Sequence, residues 1–120
     1  MKSERLALRT VREAEKAVEG LGSTNSELMA LRAIHINVLV RNASPAHARS
    51  LKNAYNDVGA EAAISHEAYF DEAGGSTDLI AMGSVYHHRE VQRILKDEPE
   101  LRSLLELLAE VVENSPEVGE

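Results

Sequence analysis

All five histidines of this 120-residue chain fall in its middle, at His35, His47, His66, His87 and His88. Histidine is the side chain that exchanges protons near neutral pH and the commonest metal ligand, so this crowding is the first feature with chemical content. Metal sites built between helices use Glu-x-x-His repeats that aim their ligands at one axis. No Glu-x-x-His occurs, and the one-turn pair His87-x-x-Glu90 has no companion, so neither a metal nor another cofactor is expected. The chain has no cysteine, which removes disulfides, thiolate nucleophiles and sulfur-held metals. Glycine-rich phosphate loops and the Gly-x-Ser-x-Gly and His-Glu-x-x-His signatures are missing as well.

The densest run of reactive types is Arg41-Asn42-Ala43-Ser44-Pro45-Ala46-His47. It sets a permanent cation, an amide and a titratable ring within seven residues, and it resembles the ribonuclease signature of HEPN domains. That resemblance implies an all-helical, dimeric, metal-independent ribonuclease with RNA as its partner. Arg41 would stabilise charge on the phosphorane, Asn42 would orient the site, and His47 would act as general acid or base. A bland reading of the same run ends one helix at Arg41 and Asn42 and places His47 on the next. A further alternative is a small anionic ligand. Gly83 and Ser84, leaving a strand, would offer backbone N–H groups to an anion at the following helix start, with Ser44 and His87 beside them.

These residues must be positioned by elements that the pattern reads mainly as helices. Ala7, Val11, Ala14 and Val18 form one stripe over about 3–20, closed by Gly20 and Gly22. Thr24 and Glu27 have capping-box spacing, and no turn residue follows until Asn42, which predicts a helix over 25–43 with His35 in its apolar seam. Ser44-Pro45 opens a third helix, Gly59 is a kink or break within it, and Gly74-Gly75 is a stop. A fourth helix over about 76–96 turns His87 and His88 to solvent, and a fifth covers about 99–113. The expectation is an all-α fold, a compact four- to five-helix bundle over residues 1–114 with a mobile tail at 115–120. The alternative is a small α/β domain, because residues 34–40 and 78–84 can also be read as strands.

The formal charge of −7 disfavours attraction of the whole surface to nucleic acid or to anionic membrane. Lys2, Arg5, Arg9, Arg12 and Lys16 repeat on one side of the first helix, whereas residues 97–120 hold eight acids and one arginine. Leu101, Leu104, Leu105, Leu108, Val111 and Val112 make a stripe broader than one neighbouring helix covers, which marks them as an interface. The opening residues have no apolar leader-like run and no segment is apolar enough to span a bilayer, so a cytoplasmic protein away from membranes is expected. The function expected is an interaction or regulatory module, homodimeric, with a protein partner and no catalysis of its own.

Overall fold

The structure, a computed structural model, describes residues 1–70 and 74–119. It is a mixed α/β fold, and the all-α expectation is overturned in the segment on which it depended. Helix α1 (Val11–Glu19) and α2 (Ser26–Ala33) are followed without a turn by strand β1 (His35–Ala43). Ile34 alone makes the change, with extended backbone at φ −106° and ψ 115°. From His35 to Val40 exposed and buried residues alternate, so Ile36, Val38 and Val40 reach the core on one side. β-Branched side chains suit that pleated, half-buried surface better than a helix.

Helix α3 (Pro45–Asp57) starts at the Ser44-Pro45 signal, and Gly59, at φ 89°, turns the chain into β2 (Glu61–Ile64). A short α4 (His66–Tyr69) leads on; Asp71, Glu72 and Ala73, which the sequence runs up to the Gly74-Gly75 stop, lie outside the described residues. The expected fourth helix divides into β3 (Thr77–Ser84) and α5 (Val85–Leu95). A 3-10 turn (Pro99–Leu101), α6 (Arg102–Glu113) and α7 (Pro116–Gly119) complete the chain. Residues 116–119 of the expected tail are thus helical, with Val118 against the core, while Glu120 lies outside the described residues. The first helix is shorter than its stripe because Thr10 and Glu13 form a reciprocal capping box that begins it at Val11.

The strands lie in the order β1-β3-β2, and both outer strands run antiparallel to β3. β1 and β2 are therefore parallel to each other, joined by α3, with β3 inserted between them in a split β-α-β arrangement. Helices α3, α5 and α6 pack on one side of the sheet. Tyr55, Leu51, Leu79, Val85, Val91, Leu108 and Val112 are its fully buried centre. On the other side the paired residues Leu39 and Ile80 face outward, exposed. Among the described residues no helix is long and apolar enough to cross a membrane.

Candidate functional site

The junction of β3 and α5 is built by one serine and one histidine. The Ser84 hydroxyl accepts from the His87 backbone N–H at 3.2 Å, and the Ser84 N–H donates to His87 Nδ1 at 3.2 Å. Ser84 Oγ also lies 2.9 Å from Nδ1. A backbone N–H can only donate, so Nδ1 is the acceptor and the neutral ring carries its proton on Nε2. Gly83 lets this corner close: a Cβ there would stand 3.0 Å from the His87 Cβ and 3.2 Å from the Ala60 Cβ. Gly83→Ala is accordingly expected to cost about 1–3 kcal/mol by overpacking, read from the midpoint shift of urea unfolding.

Gly83, Ser84 and His87 line a cleft of about 480 Å³ together with Arg32 from the end of α2, His35 from the start of β1 and Glu61 from β2. Arg32 lies over the Tyr86 ring at 4.3 Å, and His35 Nε2 is 2.8 Å from Asn37 Oδ1. Burial, then the positive charges of Arg32 and His35, hold His87 below the usual imidazole range. The Glu61 carboxylate is held by the Lys52 ammonium at 2.7 Å and by the Ala62 N–H at 2.9 Å.

Of the two residues whose backbone was expected to cradle an anion, Ser84 has its N–H engaged, and so have Val85 and His87 after it. Ser84 N–H goes to His87, His87 N–H to Ser84, and Val85 N–H to the Ile34 carbonyl at 2.9 Å. What the cleft presents is cationic and ring N–H side chains. Ser84 and His87 touch as a nucleophile and its base would, yet the Ser84 hydroxyl is buried and caps α5, and no described carboxylate orients the ring from behind.

Ser44 lies elsewhere. With Arg41, Asn42, His47, Ser103 and Leu107 it lines a second groove, of about 300 Å³, between the end of β1 and α6. Arg41 and His47 thus share a groove, but Arg41 Nη1 faces the Asp78 carboxylate at 3.4 Å. Asn42, at φ 61° in a register break of β1, gives its N–H to the same carboxylate at 3.0 Å. The all-helical frame that the HEPN resemblance implies is not the frame that holds these residues.

Leu101, Leu104, Leu105, Leu108 and Val112 are buried in the chain's own core, which leaves Val111 as the one surface residue of that stripe, beside Leu107. Helix α5 and strand β1 together cover it.

The histidine placement inverts the helical reading. His35 is exposed on the outer side of β1, and His88 is buried at 3% exposure. His88 Nε2 donates to the Ile36 carbonyl at 2.8 Å, and Nδ1 accepts from the Tyr55 hydroxyl at 2.7 Å. The spacing Val85, His88, Val91 would have placed this ring inward once α5 was known to begin at Val85. Tyr55 follows Leu51 at helical spacing and is buried with it, whereas Arg32 carried no sequence signal for its role. Among the described residues no three metal-ligating side chains converge. No protein-family model, curated protein or solved structure matches the chain.

Proposed function

We propose that the protein is an interaction module that pairs with a second copy of itself through the free edge of β1. The observation that carries this reading is the unguarded character of that edge. β1 is nine residues long and, among the described residues, pairs with a strand on one side only, β3. Natural edge strands are shortened, charged, bulged or covered, because open N–H and C=O groups invite another strand. The stretch His35–Val40 contains no Lys, Arg, Asp, Glu or Pro, and the break at Arg41 and Asn42 comes only at its end.

A strand laid antiparallel against its own copy is self-complementary about a two-fold axis, the commonest symmetry of soluble assemblies. Such pairing would extend the sheet to six strands and carry α6 towards its copy. Leu39 at 49% exposure, Leu107 at 55% and Val111 at 47% supply apolar surface around the seam. The HEPN-type ribonuclease has no comparable support, since its Arg41 is engaged by Asp78.

Sedimentation equilibrium tests the reading. Wild type is expected to sediment as a dimer. Leu39→Lys and Leu107→Lys each set two ammonium groups near one two-fold axis and should weaken the dimer by about tenfold or more with unchanged circular dichroism. A monomeric wild type, or a dimer indifferent to both changes, overturns it.

A further inference from the structure

We propose that the cleft between α2 and the start of α5 binds a small oxyanion through the side chains of Arg32 and His87, with His35, whose Nε2 is taken by Asn37 Oδ1, beside them. The inference is independent of pairing through β1. The cleft gathers three nitrogen-bearing side chains from three elements, α2, β1 and α5, in a chain whose net charge is −7. Long-range attraction therefore does not gather anions over the whole surface, and a positive concavity is a local exception.

Arg32 makes no ion pair with any described carboxylate. Glu90, the acid that feels its charge, is taken by Arg93 at 2.8 Å. The guanidinium carbon lies 4.3 Å from the Tyr86 ring centre, and no described group accepts a hydrogen bond from its N–H groups. A planar fork of donors matches two oxygens of a carboxylate, phosphate or sulfate group.

His87 is oriented for the same task. Its Nδ1 is fixed towards Ser84, so Nε2–H projects from the opposite side of the ring. No described group accepts from it. Burial first, and then Arg32 and His35, make the charged form of the His87 ring unfavourable, and an anion beside it would offset the part that comes from its neighbours. Glu61, the acid on the rim, does not cancel the arrangement, because Lys52 and the Ala62 N–H already hold its carboxylate. The cleft volume of about 480 Å³ admits a group larger than a bare ion, so the oxyanion is the recognised part of a small metabolite-sized molecule.

Sulfate and acetate are the probes, since both keep a fixed charge near neutral pH and they separate tetrahedral from planar oxyanions. Imidazole resonances of the isotope-labelled full chain are followed by NMR at pH 7 and constant ionic strength, with chloride as the balancing salt. The expected result is a saturable shift of the His87 ring with a dissociation constant of about 1 mM or tighter for at least one probe. Arg32→Gln should weaken that binding by about tenfold or more while circular dichroism stays unchanged, and His87→Gln, followed through the His35 ring that lines the same cleft, should weaken it in the same direction. Saturation by sulfate alone assigns a phosphate-like group, and saturation by acetate alone assigns a carboxylate. Linear, non-saturating shifts with both probes, or saturation that survives Arg32→Gln unchanged, overturn the proposal.

Discussion

Leu108→Glu is expected to unfold the chain rather than to separate two copies of it. Leu108 is 1% exposed and belongs to the core shared by α6, α5 and the sheet. Placing a carboxylate there forfeits about 2 kcal/mol of apolar burial, and the unpaired charge adds several kcal/mol or forces protonation. Against a total stability of about 5–15 kcal/mol for a domain, that loss removes most or all of the margin. Far-UV circular dichroism at 25 °C should show little native signal and no cooperative urea transition. Leu107→Glu, one residue away and exposed, should keep the native circular dichroism and a cooperative urea transition. A folded, cooperative Leu108→Glu protein would contradict the packing described for α6.

The second large effect is expected at His88. His88→Ala removes a buried ring and leaves both the Tyr55 hydroxyl and the Ile36 carbonyl without their partner. Cavity formation and two stranded polar groups together predict a loss of about 3–5 kcal/mol, measured from urea midpoints. Tyr55→Phe keeps the aromatic bulk and strands only Nδ1, so it should cost about 1–2 kcal/mol.

The same ring makes the fold sensitive to acid. Burial holds His88 below its ordinary pKa of 6.5, with His35 and His87 nearby adding to the effect and the Ile36 carbonyl opposing it. Burial also pushes the Tyr55 phenol well above its ordinary value, so it stays a hydroxyl donor. Above pH 6.5 both the folded and the unfolded chain hold a neutral His88, and its contribution to stability is full. As pH falls through 6.5 the unfolded chain takes up the proton first, and stability is lost until the folded pKa is reached. His87, also lowered, acts in the same direction. The melting temperature should therefore fall between pH 7.5 and pH 5, and that of Tyr55→Phe should fall less steeply, since the neutral ring has lost the donor that favours it. A melting temperature that rises on acidification would exclude a buried neutral His88.

Much of the local detail was written in the residues themselves. Ser44-Pro45 starts α3 and the run of apolar residues after Leu101 makes α6 amphipathic, because capping and i-to-i+4 hydrogen bonds involve neighbours in the chain. Gly83, Ser84 and His87 were legible as a group for the same reason, lying within five positions. Strand β1 was not legible to the same degree. Ile34–Val40 has both a helical seam and a two-residue alternation, and what settles it is β3, with Val38 opposite Ala81 and Leu39 opposite Ile80.

The side chains followed that pairing. In a strand His35 faces away from Ile36, and in a helix begun at Val85 rather than Ser76 His88 faces the core. The leucine stripe of α6 likewise looked like an interface until α5 and β1 were in place to cover it. Residue order therefore determined where chain segments begin, end and turn. Tertiary structure alone decided which long segment pairs with which, hence that Arg32 and His35 close over the β3–α5 corner. The reason is that a helix satisfies its backbone within itself, whereas a strand must find its hydrogen bonds on a segment some forty residues away.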